Sequence, residues 1–167
     1  MNSFVMANLI VGKDGSTTLN GRSKGLSSPE DRRRFHELRK SADCILIGGN
    51  TARTEPYSIT PVDLYVLSHN ELPENVRLNP RAKILNCNLS DALASLKGKV
   101  LIEAGASLVS EGLANNLIDE FYLTSVDMAS GENCIDIAEL TKGYVVDSRE
   151  DIGDDLFLRF VQSTHRN

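Results

Sequence analysis

The stretch from Lys99 to Val126, KVLIEAGASLVSEGLANNLIDEFYLTSV, constrains the fold more than any other. Val100, Leu101 and Ile102 run into the turn Glu103-Ala104-Gly105-Ala106-Ser107. A short apolar run bounded by glycine reads as a buried strand. From Ser107 to Asn116, Leu108, Val109, Gly112 and Leu113 recur at helical spacing. Ile118 to Val126 then reads as a second strand, with Phe121, Tyr122, Leu123 and Val126 as its bulk. Strand, glycine turn, helix and strand make a βαβ unit, which favours a parallel sheet with right-handed crossovers.

The turn in this unit is a place for chemistry. Small residues let a ligand approach the backbone, and a helix N-terminus offers unpaired N–H groups to a phosphate. Glu103 stands at the C-terminal end of its strand, the edge where open α/β sheets bind ligands. A tight turn with a solvated carboxylate is the plainer alternative. The segment Ala42 to Ile47 followed by Gly48-Gly49-Asn50-Thr51 repeats the pattern, and two such turns suggest a shared nucleotide crevice. Neither is a GxGxxG or a GxxxxGK[ST], so neither a Rossmann fingerprint nor a P-loop is claimed.

Bulk properties narrow the function classes. A chain of 167 residues with 41% hydrophobic and 25% charged content suits one folded domain. A net charge of −5 argues against a broad nucleic-acid-binding face, though it allows a local basic pocket. No run reaches the roughly 18 apolar residues of a membrane span. Cys44, Cys87 and Cys134 are far apart, His36, His69 and His165 are dispersed, and no metal-ligand spacing occurs. Reduced thiols in a cytoplasmic protein are therefore expected.

Along the chain, Ser3 to Val11 reads as a central strand interrupted by Asn8, either a satisfied structural amide or a group facing a cleft. Gly12 to Gly15 is a turn, and Ser16 to Ser27 a long loop. Ser28-Pro29-Glu30-Asp31 is a helix start, with Ser28 as cap, Pro29 at the first position and Asp31 completing a capping-box-like pair. That helix runs to about Lys40, with Phe35, Leu38 and Ala42 inward and Arg32, Arg33 and Arg34 largely outward. Arg53 to Pro61 reads as loop, Asp63 to Leu67 as a third strand ending in Ser68-His69-Asn70, Glu71 to Arg81 as irregular, Ala82 to Leu85 as a short strand, and Ser90 to Leu96 as a helix. Ile135 to Leu140 packs without a clear type. Tyr144 to Asp147 and Leu156 to Gln162 suggest a closing antiparallel hairpin.

Taken together, these segments resemble the reductase domain of riboflavin biosynthesis, within the dihydrofolate reductase-like superfamily. The resemblance rests on Asp14-Gly15, on Ser27-Ser28-Pro29-Glu30 with His36, Leu38 and Arg39, and on Asp43 to Gly48 with Thr51 and Pro56. It extends through Glu103-Ala104-Gly105 with Asp119-Glu120 to the closing Asp155-Leu156-Phe157-Leu158-Arg159. It implies a single α/β domain over residues 1–167 with a mixed, mostly parallel sheet flanked by helices, and a C-terminal antiparallel hairpin. No HxE…PCxxC pattern occurs, so no deaminase domain is expected.

The implied activity is NADPH-dependent reduction of a ribosylamino-pyrimidine phosphate to its ribitylamino product. Carried over, Gly48, Gly49, Asn50 and Thr51 would cradle cofactor phosphate, and Ser68 and His69 would lie near the adenosine 2′-phosphate. Gly105, Ala106, Ser107 and Leu108 would meet the pyrophosphate and nicotinamide side. Asn8 matches archaeal-type members, where Asn replaces the bacterial Lys. Asn8 and Glu103 would be catalytic, and Asp14, Ser27 and Arg53 would contact substrate. A homodimer, a small-molecule substrate and no nucleic-acid or membrane partner are further expectations.

The sequence also departs from the family. Gly25 stands where bacterial members often have Trp, Ala104 replaces a Gly, and the Thr51-to-Pro56 segment is one residue short. Leu67 and Glu71 stand where an Asp and an Arg are common. Two alternatives therefore remain: a related NADPH reductase of a pterin or other small carbonyl or imine compound, and a non-catalytic nucleotide-binding protein.

Overall fold

The computed structural model describes residues 3–103 and 105–163. Its strands are β1 (Phe4–Gly12), β2 (Cys44–Gly48), β3 (Asp63–Leu67), β4 (Ala82–Leu85), β5 (Lys99–Ile102), β6 (Glu120–Val126), β7 (Tyr144–Ile152) and β8 (Asp155–Gln162). Its α-helices are α1 (Pro29–Ser41), α2 (Gly49–Thr54), α3 (Glu74–Arg77), α4 (Leu89–Ser95), α5 (Ala106–Ala114) and α6 (Ile137–Leu140). A 3-10 turn spans Ser23–Gly25. The strands form one sheet in the order β4-β3-β2-β5-β1-β6-β8-β7. Pairing is parallel from β4 to β6, and β8 runs antiparallel to both β6 and β7. The mixed, mostly parallel sheet with a closing hairpin matches the sequence expectation.

Burial on both faces explains the continuous apolar runs of the inner strands. On one face, Leu89 and Leu93 of α4 and Val109 and Leu113 of α5 pack with Val5, Ala7, Leu46, Ile102 and Phe121. On the other, Leu38 and Ala42 cover Met6 and Leu101, while Ala52 of α2 and Val76 of α3 cover Ile45, Ile47, Leu64 and Val66. Each fully buried side chain of this size contributes about 1.5–3 kcal/mol. The helices after β1, β2 and β3 thus lie on one face and those after β4 and β5 on the other. β5 sits between β1 and β2, so the chain reverses its winding there, which is where α/β sheets open a crevice.

The register deepens that crevice. Ile102, the last residue of β5, pairs with Ala7 on one side and Leu46 on the other. β1 continues to Gly12, paired only with β6, which it follows to Val126. Beyond Ile102, the side of β1 from Asn8 onward therefore faces a notch instead of a strand.

Several local readings change. Gly49–Thr54 and Glu74–Arg77 are helical, where loop and irregular chain are expected; elements this short carry no readable apolar period. The segment of unclear type contains α6. β7 extends to Ile152, so a two-residue turn, Gly153-Asp154, closes the hairpin. Its charged run shows no alternation because β7 is an edge strand, exposed along most of its length. Arg34 turns inward: its guanidinium lies 5.1 Å from the ring centroids of both Tyr122 and Phe157, and its Nη2 donates to the Leu158 carbonyl at 3.0 Å.

The start of α1 is as read. Ser28 Oγ accepts from Asp31 N–H at 3.1 Å and also donates to Asp155 at the root of the hairpin. Asp31 is buried and takes a hydrogen bond from Ser27. Replacing Ser28 with Ala removes the cap and the tie to β8, and should lower stability by about 1–2 kcal/mol. A fall in the urea midpoint at unchanged slope checks this.

Candidate active site

Asn8 forms the floor of the notch. It is half-buried, on the sheet face covered by α1, and its amide has no side-chain partner among the described residues.

The two glycine turns flank the end of β5. Gly48 caps α2 and Gly105 caps α5, and neither helix has a side-chain cap. The helices after β1 and β4 differ, because Ser28 and Asn88 cap them. Gly105 N–H donates to Thr51 Oγ1 at 3.1 Å, which ties one turn to the other. At Gly48 and Gly105, φ is −87° and −64°, so the backbone does not require glycine. A methyl group on Gly48 would come only within 3.8 Å of Leu108 Cδ2, and one on Gly105 within 3.9 Å of Thr51 Oγ1. The protein itself leaves that space open.

The neighbouring polar groups gather on the same edge. A methyl on Gly49 would lie 3.1 Å from Ser68 Oγ and 3.4 Å from Arg53 Nη1, so both groups stand against this turn. Arg53 also bonds the Asn50 side chain. His69 is exposed at the end of β3 and pairs with Asn86. Ser107 is exposed and Ala106 and Leu108 are half-buried in the first turn of α5.

Four of the expected site residues have neighbours within the fold. Arg53 stands near Gly49 and Ser68. Ser27 donates its hydroxyl to Asp31 Oδ2 at 2.7 Å and so belongs to the entry of α1. Asp14 accepts from the Ser16 hydroxyl at 2.6 Å, from Ser16 N–H at 3.1 Å and from Ser130 N–H at 2.7 Å. It pins the turn after β1 to the loop after β6 instead of presenting a free carboxylate.

Glu103 is likewise not free. Arg39 grips it with Nε at 2.7 Å from Oε1 and Nη2 at 2.6 Å from Oε2, and the Tyr57 hydroxyl donates to Oε2 at 2.8 Å. Glu103 is 4% exposed and Tyr57 6%. Burial opposes the charge on Arg39, but the bonds and charge of Glu103 outweigh it and raise the guanidinium pKa. Burial and the adjacent carboxylate push the Tyr57 phenol well above its ordinary range, so it stays a hydrogen-bond donor. Tyr57 carries no motif of its own. The only signal for this pairing in the sequence is Arg39 at the end of a helix whose inward face covers the strand before Glu103.

The Ser16 hydroxyl, then the N–H groups of Ser16 and Ser130, hold the Asp14 pKa below its usual value. With the folded value below the unfolded one, the stabilisation is present above about pH 4 and is lost as pH falls through the folded value. Asp14→Asn should therefore flatten the fall in stability below about pH 4. Urea midpoints measured across that range check the slope.

The model of the RibD C-terminal domain family matches residues 3–135. No curated protein matches by sequence. In fold, the chain is similar to Acinetobacter baumannii RibD, with a TM-score of 0.74 and 18% identity over 97% of this chain and 58% of that one. It is similar also to the diaminohydroxyphosphoribosylaminopyrimidine deaminase/5-amino-6-(5-phosphoribosylamino)uracil reductase of Thermotoga maritima, with a TM-score of 0.71 and 13% identity over 96% of this chain and 57% of that one. A pyrimidine reductase-like protein of Corynebacterium diphtheriae gives a TM-score of 0.65 and 19% identity, over 95% and 91% of the two chains. The chain thus spans less than two thirds of the first two proteins. A family match that begins at β1 and runs through both glycine turns leaves one conclusion: the chain belongs to the RibD C-terminal domain family, the reductase domain of riboflavin biosynthesis.

Proposed function

We propose that the chain is an NADPH-dependent reductase that converts a ribosylamino-pyrimidine phosphate to its ribitylamino product. The observation that carries this reading is the open space at Gly48 and Gly105, whose backbones would tolerate a side chain that the crevice does not contain. A dinucleotide fits such a place. Its pyrophosphate suits the uncapped N-terminus of α5. Ser68, Arg53 and His69 stand together at the ends of β2 and β3, where they would hold an adenosine 2′-phosphate and so favour NADPH over NADH.

A bound nicotinamide supplies the hydride, and the protein supplies orientation. Positioning of this kind can contribute about 7–11 kcal/mol, so the reading needs no dedicated acid. Asn8 is the group free to orient the substrate, because its amide both donates and accepts. In this reading Glu103, held by Arg39 and Tyr57, fixes the end of β5.

A second reading keeps the cofactor and changes the substrate to a pterin or another small imine. The exposed carboxylate of Glu71, four residues after β3, supports it by repelling a substrate phosphate from that side. We propose also that residues 1–167 act as one cytoplasmic reductase unit, paired as a homodimer through the hairpin end of the sheet, where β7 is the edge. Sedimentation at micromolar concentration should give twice the chain mass; a monomer would remove the dimer.

Two experiments test the activity. NADPH should raise the melting temperature well above any effect of NADH, in line with binding to the folded state alone. Gly48→Ala and Gly105→Ala should each lower the ligand-free stability by no more than about 1 kcal/mol, the range for a poorer N-cap at a site without packing conflict. Both should weaken NADPH binding about tenfold or more, the loss expected when a polar contact worth about 1–1.5 kcal/mol is blocked. Oxidation of NADPH with a ribosylamino-pyrimidine phosphate, and not with pterins, separates the first reading from the second.

A further inference from the structure

A buried ion pair is costly, and an apolar trio of similar volume often gives equal or greater stability. The Arg39–Glu103–Tyr57 cluster therefore calls for a reason other than stability. Its three members come from three segments: the end of α1, the end of β5 and the loop after α2. The Arg39 guanidinium is packed between the Phe35 ring, 4.3 Å from its centroid, and the Tyr57 ring, 5.4 Å from its centroid. Both Glu103 oxygens are thus bonded, and the guanidinium lies against two rings.

That arrangement fixes the start of the second glycine turn. Glu103 N–H makes a sheet bond to the Leu46 carbonyl at 3.0 Å, continuing the ladder one residue past β5. Tyr57 OH lies 2.8 Å from the Glu103 carboxylate and 3.5 Å from its backbone carbonyl. Two residues on, Gly105 N–H is held by Thr51 of the opposite turn. The backbone that enters α5 is thus anchored on both sides of the turn, once by the ion pair and once by α2.

We infer that Arg39 and Tyr57 are positioning residues for the cofactor: acting through Glu103, they hold the first turn of α5 at a fixed spacing from Gly48 and Gly49. The cofactor part of this rests on the reductase reading; the anchoring of the turn does not. Glu103 is then an anchor.

The test uses Tyr57→Phe, which removes one hydroxyl and keeps the ring, and Arg39→Lys, which keeps the charge and loses the two-pronged grip. Hydrogen exchange is measured first, on the proteins without nucleotide. Exchange in the peptide covering the first turn of α5 should speed up about tenfold in both variants, the effect of one lost hydrogen bond. Exchange in β1 and β6 should stay as in the parent. Steady-state kinetics follow: KM for NADPH should rise about tenfold while kcat at saturating NADPH stays within about twofold, since uniform binding and not the chemical step is affected. Unchanged exchange at α5, or a fall in kcat with KM unmoved, overturns the inference. If the parent protein binds no NADPH, the reductase reading falls, and exchange at α5 alone decides whether the anchor exists.

Discussion

The grip of Arg39 on Glu103 is the interaction on which the site's geometry depends. It joins a helix on one face of the sheet to the last residue before the crevice, in a place with little water to screen or replace it. The pair is two-pronged, closed by a buried phenol, and walled by two rings, so the carboxylate has little freedom to serve another partner. A carboxylate at the C-terminal end of a parallel strand invites a catalytic reading. Here its bonds make it part of the frame.

The crevice itself follows from topology and register. β5 lies between strands whose onward helices leave to the opposite face, and it ends level with Ala7 while β1 and β6 run on. Ser28 and Asn88 cap the starts of α1 and α4, whereas α2 and α5 start at glycine and α3 follows Pro73, none of the three with a side-chain cap. A glycine at a helix start costs only about a few tenths of a kcal/mol relative to a side-chain cap, and leaves its N–H groups open to a ligand's acceptors.

Much of this was legible in the sequence. The inner strands are buried on both sides and therefore read as apolar runs, and β3 and β4 fall where the residues place them. The capped start of α1 is a local signal and is equally plain. Both glycine turns were legible as turns because a strand ending in small residues has few other uses. The contacts among polar side chains were not. Asp14, Ser27 and Glu103 each look like available site groups in one dimension, and each is taken by a partner that folding delivers: Ser130 from more than a hundred residues away, Asp31 from the next helical turn, and Arg39 from the helix packed on the same face of the sheet. The short helices α2 and α3 and the exposed edge strand β7 were illegible for another reason, since none buries a periodic face.

The central claim is that the turns after β2 and β5 form one cofactor crevice. Amide NMR during an NADPH titration tests it most directly, because glycine resonances are well separated from the rest. The account predicts that the amides of Gly48, Gly49 and Gly105 shift together with a single affinity, while Gly153 in the distant hairpin turn stays still. Shifts confined to one turn, or separate affinities for the two, would contradict it.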